Sequence, residues 1–129
     1  MSAARLTSLG KALTRLDEAL ALAETDVTRD AAIQRFEFCY ELAWKAVREA
    51  LVHQGLSCTS PRGCLRDAFK QGWVADETTW LTALEDRNLT SHTYDEALAR
   101  AIYSRLPGYA QAFRALHDAL ATAWADDIG

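Results

Sequence analysis

The apolar residues of this chain recur at steps of three and four along most of its length. Leu6, Leu9, Leu13, Leu16 and Leu20 form one stripe. Ile33, Phe36, Tyr40, Ala43, Val47 and Leu51 form a second, and Ile102, Leu106, Tyr109, Phe113, Leu116 and Leu120 a third. Such steps match the turn of an α-helix, so each stripe is the buried side of an amphipathic helix. Alanine and leucine, both strong helix formers, supply about a third of the residues. No segment alternates polar and apolar residues with β-branched enrichment, so no sheet is expected.

Local signals divide the stripes. A break falls at Thr25-Asp26-Val27-Thr28, and Gly55 is a suitable stop for the second helix. Ser60 followed by Pro61 reads as a cap and first turn, opening a short third helix that Gly72 closes. Asp76 caps a fourth helix running to about Leu89. Thr93-Tyr94-Asp95-Glu96 reads as a capping box, a Thr cap answered by Glu three residues on. Pro107 lies inside the last stretch and should kink or split it, because proline lacks the amide and crowds the preceding turn. The expected fold is all-α, an antiparallel four- or five-helix bundle with short connections. With 129 residues, no internal repeat and no composition break, residues 1–129 read as one domain.

Composition narrows the function classes. Half the residues are hydrophobic and the net charge is -4, which argues against a basic coat for nonspecific nucleic-acid binding. No apolar run approaches the roughly 18 residues of a membrane span. The first ten residues lack a secretory signal pattern. Cys39, Cys58 and Cys64 are odd in number and form no CxxC pair. Neither a disulfide framework nor a zinc knuckle is indicated, and the expectation is reduced thiols in a cytoplasmic protein. His53 and His117 have no partner at metal-ligand spacing, so no metal or cofactor is assigned.

The densest polar cluster runs from Glu85 to Tyr94, between a predicted helix end and the next start. Within it, Arg87 and His92 are separated by four residues. Arginine grips phosphate with a planar fork of donors, and histidine moves protons near neutral pH. Such a pair can cleave RNA without metal, with the 2′-hydroxyl as internal nucleophile. Spacing alone is weak, since Arg48 and His53 share it inside an ordinary helix. Five steps turn a side chain by about 140° on a regular helix, so such a pair converges only across a helix break or between subunits. Asn88, Thr90 and Ser91 are poor helix-interior residues and favour a break. The plainer reading is a polar loop that caps helix ends.

Other residues carry paired readings. Arg62, Arg66 and Lys70 share one face of the third helix, as a contact for RNA backbone or a partner's phosphates, or as a solvated face. Glu37, Glu41 and Lys45 share another face, read as a Glu41–Lys45 surface pair rather than a metal site. Trp44, Trp73, Trp80 and Trp124 read as core or interface anchors. The second helix bears Phe36, Phe38, Tyr40 and Trp44 on more than one side, more than one core needs, and suggests a homodimer interface.

The run Ala32 to Phe38, its continuation Glu41 to Lys45, Ser60-Pro61-Arg62, Ala68-Phe69 and above all Glu85 to Asp95 resemble the nucleotidyltransferase substrate-binding protein family. The resemblance spans about residues 5 to 120. That family belongs to the HEPN superfamily of small helical bundles and is similar to the HepT toxins. It implies a partner, a minimal nucleotidyltransferase encoded alongside, and a dimer whose active site faces itself. The superfamily's ribonuclease motif, Arg then His with a polar residue after the Arg, falls on Arg87, Asn88 and His92, with Asp86 as a flanking polar group. The HepT-like extension places Tyr94 as the acceptor of AMP from the partner enzyme, which silences the toxin. The resemblance therefore implies a metal-independent ribonuclease of a two-gene toxin–antitoxin module. The alternatives are a noncatalytic substrate-binding subunit of a nucleotidyltransferase and a purely structural helical dimer.

Overall fold

The structure is a computed structural model that describes residues 3–128, with side chains from residue 4 to 125. Its elements are α1 (Ala3–Ala21), α2 (Asp26–His53), α3 (Pro61–Lys70), α4 (Glu77–Leu89), a 3-10 turn (Thr90–His92) and α5 (Glu96–Ile128). This is an all-α antiparallel bundle, with no strand among the described residues.

Local chemistry sets most boundaries. Thr25 has extended backbone and starts α2: its hydroxyl accepts from the Thr28 amide at 3.1 Å, and the Thr28 hydroxyl accepts from the Thr25 amide at 2.7 Å. The break therefore spans residues 22–25, slightly earlier than expected, and Asp26 to Thr28 already form the first turn. Ser60 caps α3 by accepting from the Gly63 amide, and Pro61 occupies the first turn. Asp76 caps α4 through the amide and hydroxyl of Thr79. Those bonds favour its ionised form and hold its carboxyl below the usual value. Gly55 and Gly72 follow the ends of α2 and α3 with φ of +79° and +81°, where a side chain would be strained.

Two expectations about α5 need correction. Its cap is Asp95, which accepts from the Leu98 amide, not Thr93. Thr93 has φ -77° and ψ 4°, not the extended backbone a cap requires, and its hydroxyl donates to the Thr90 carbonyl instead. Pro107 does not split the helix, which runs from Glu96 to Ile128. Proline costs a helix hydrogen bond. Leu106, Tyr109, Ala110 and Phe113 are buried around it and hold both flanks in helical register.

Two of the three cysteines also depart from expectation. Cys58 and Cys64 form a disulfide across six residues, with Cα atoms 5.1 Å apart. The Ser60-Pro61 turn folds the loop back so that Cys58 meets the first turn of α3. Cys39 remains a buried thiol, its pKa pushed up to about 12 by burial, and so a poor nucleophile.

α2 packs on α1, α3, α4 and α5. Phe36 is fully buried and stacks on Tyr109 and Phe113 of α5, with ring centres 5.3 and 5.9 Å apart. Trp80 of α4 closes on Phe113 at 5.1 Å. α1 adds Leu9, Leu13 and Leu16, all fully buried. Among the described residues no helix is long and apolar enough to cross a membrane. Since Phe36 joins two helices at the centre, Phe36→Ala should lower folding stability by about 3–5 kcal/mol, read from the urea midpoint by circular dichroism.

Candidate functional site at the end of helix α4

The polar cluster forms where α4 gives way to the 3-10 turn. The helix breaks between Arg87 and His92, as the poor helix formers there suggest. Hydroxyls take over the last carbonyls: Thr90 donates to the Arg87 oxygen at 2.7 Å and Thr93 to that of Thr90 at 2.9 Å. The Asp95 amide then bonds the His92 oxygen and leads into α5.

Asp86 is a buried anchor rather than an open polar group. Its two oxygens accept from Arg105 at 2.7 and 2.8 Å, and one also accepts from the Tyr109 hydroxyl at 2.6 Å. Burial, reinforced by the bond to Asp86, raises the Tyr109 phenol well above its ordinary value. The Arg105 guanidinium is held more firmly protonated, first by its bond to Asp86.

Arg87 turns the other way, to α2. Its Nε and Nη2 both contact Glu41 Oε1 at 2.9 Å. Glu41 Oε2 accepts from the Trp44 indole at 3.1 Å, and Arg48 lies over the Trp44 ring, 5.0 Å from its centre. The expected Glu41–Lys45 pair is thus replaced by a contact 46 residues distant in sequence. Arg87 stays about one-third exposed and within reach of solvent.

His92 and Asn88 are exposed. Tyr94 is 86% exposed, so it contributes no core packing, and its ring meets His92 edge-on with centres 6.2 Å apart. A cleft of about 270 Å³ beside Tyr94 is lined by Asp26, Arg29, Asp30, Thr93 and Glu96. A larger trough of about 730 Å³ between α1 and α5 contains none of these candidates. Arg62, Arg66 and Lys70 are all exposed on α3. The short loop of residues 71–76 turns α4 back along α3, on which it packs, so the start of α3 lies toward the end of α4. Tyr40 is fully buried, and its hydroxyl has no partner among the described residues. Burial, then the Glu41 charge, raises that phenol.

The structure therefore joins His92 to Tyr94 and Arg87 to Glu41. No hydrogen bond links Arg87 to His92 among the described residues. Sequence reasoning missed Arg105 and Tyr109. Their only signal was a polar pair one helical turn apart, on a face that also reads as apolar.

The profile described as "Nucleotidyltransferase substrate binding protein like" matches residues 4–122. The chain belongs to that family. A crystal structure of a protein from Thermus thermophilus shares 43% identity and a TM-score of 0.83, covering 87% of this chain and 98% of that one. A Haemophilus influenzae structure, described as the fold of a substrate binding domain of a nucleotidyltransferase, shares 26% identity and a TM-score of 0.79, covering 89% and 98%. A Haemophilus influenzae protein named "Probable ribonuclease HepT" is 34% identical over 83 residues. That alignment covers 60% of this chain and 57% of the relative, so the chain spans just over half the relative's length.

The two raised phenols set a pH dependence for this family member. A group whose folded pKa is raised stabilises the fold fully below its unfolded value and loses that contribution as pH climbs through the folded one. Stability should hold up to about pH 10 and fall above it. Tyr109→Phe should flatten part of that fall, as read from denaturation midpoints and phenolate absorbance against pH.

Proposed function

We propose that this protein is a HepT-like, metal-independent ribonuclease, silenced by AMP transfer to Tyr94 from a cognate minimal nucleotidyltransferase in a toxin–antitoxin module. The observation that carries the reading is the His92–Tyr94 contact at the helix break that follows Arg87. A group attached to Tyr94 would lie beside the proposed proton carrier and add negative charge next to the proposed phosphate site. The 34% identity to a protein named a probable ribonuclease supports the same direction.

In the proposed reaction the RNA 2′-hydroxyl attacks its own 3′-phosphorus. His92 takes the hydroxyl proton and Arg87 stabilises the charged phosphorane. The 5′-oxygen leaves with a proton from a second imidazole, and a homodimer would supply that group from the other copy. Exposed Phe38 on α2, 54% accessible, is consistent with such a pairing. For silencing, the Tyr94 phenolate attacks the α-phosphorus of ATP held by the partner, and pyrophosphate departs. A base on the partner accepts the phenol proton. Asn88 and Asp86 play supporting parts, Asp86 by fixing the end of α4.

The second reading is a noncatalytic substrate-binding subunit, favoured by the description of the Haemophilus influenzae structure. The two readings separate in an RNA cleavage assay run with a metal chelator. Arg87→Ala and His92→Ala should each cut cleavage by about a hundredfold or more while circular dichroism stays unchanged. Wild-type cleavage in either variant would sink the ribonuclease reading.

Incubation with the partner enzyme and ATP should add AMP mass to the wild type and suppress its cleavage. Tyr94→Phe should take up no AMP and stay active. AMP addition to a protein that never cleaves RNA would favour the subunit reading.

A further inference from the structure

The Cys58–Cys64 bridge takes no part in the chemistry above, yet it straddles the residues that start α3. That helix has ten residues, and helices below about 12–15 residues are marginal without tertiary support. Its first turn is held by the Ser60 hydroxyl on the Gly63 amide at 3.1 Å, by the Cys64 amide on the Ser60 carbonyl at 2.9 Å, and by the bridge. Arg62 lies between the two cysteines, on a helix that packs against α4. Cys64 is fully buried, whereas Cys58 is partly exposed in the loop. An incoming reagent therefore meets Cys58 first.

We propose that Cys58 and Cys64 form a thiol–disulfide switch that sets whether the first turn of α3, with Arg62, is fixed beside the end of α4. The oxidant is a small-molecule disulfide of the glutathione class. The Cys58 thiolate attacks one sulfur of that disulfide and expels one small thiolate, giving a mixed disulfide. The Cys64 thiolate then attacks the Cys58 sulfur and expels the second. Two protein protons are released, two small thiols form on protonation, and the protein loses two hydrogens. The small thiol reverses the sequence by attacking Cys58 and releasing Cys64. The oxidised state presents Arg62 and Arg66 as an ordered basic edge, and the reduced state loosens it. The consequence for RNA rests on the ribonuclease reading, but the change in α3 does not.

The test uses the full chain equilibrated across glutathione buffers of graded redox ratio. Intact mass and thiol alkylation report the bridge, and amide hydrogen exchange reports residues 58–72. Cys58→Ser supplies a chain that cannot close the bridge. The reduced wild type provides the same state without substitution. Reduced protein and Cys58→Ser should exchange the amides of the first turn of α3 at least about tenfold faster than oxidised protein. The oxidised form should also bind a short single-stranded RNA several-fold more tightly, with a steeper salt dependence. Thiols that persist in every buffer would overturn the proposal, as would equal exchange in the two states. If exchange differs but RNA binding does not, the switch stands and the RNA role of Arg62 and Arg66 falls.

Discussion

Asp86 and Arg87 are neighbours in sequence and therefore point about 100° apart on α4. One is tied to α5 and the other to α2. Two ties in different directions stop the end of α4 from rotating or sliding, and so fix where the 3-10 turn leaves it. The ties are unequal in strength. The buried Asp86 carboxylate has three donors, and losing any of them would leave desolvated charge or a stranded hydroxyl. The Arg87–Glu41 pair, about one-third exposed on both sides, is worth about 1 kcal/mol or less. Rigidity therefore comes from Asp86, while Arg87 can exchange its carboxylate for another anion at little cost.

The acidic total conceals an uneven distribution of cations. Arg5, Arg29, Arg100, Arg105 and Arg114 are each paired with carboxylates. Among the described residues no ion pair takes a cation from α3, whose Arg62, Arg66 and Lys70 stand in solvent. Three cations thus share one face of a short helix packed on α4, and a net charge of -4 says little about that edge.

Much of the fold is readable because its determinants are local. Ser60, Asp76, Gly55 and Gly72 act within a few residues of themselves, and the leucine stripes declare their buried side directly. Thr93 misleads because the 3-10 turn alters its backbone, and Pro107 misleads because tertiary packing holds the helix through it. The site divides along the same line. The break between Arg87 and His92 follows from Asn88, Thr90 and Ser91, and the closeness of Tyr94 to His92 follows from their separation of two. The partners of Asp86 and Arg87 lie 19 to 46 residues away, so only the packed chain reveals them. Glu41 is spaced to suit Lys45 one turn on, but its partner in space is Arg87. The Cys58–Cys64 pairing depends on a loop reversal that cysteine counting does not capture.

Tyr94 holds nothing together. Its ring lies in water at the rim of the bundle, so the free energy of folding is almost indifferent to what is attached there. A visiting enzyme can reach the phenol without waiting for any part of the protein to open. No opening of the fold then limits chemistry at this position, and the position can carry information without taxing the fold.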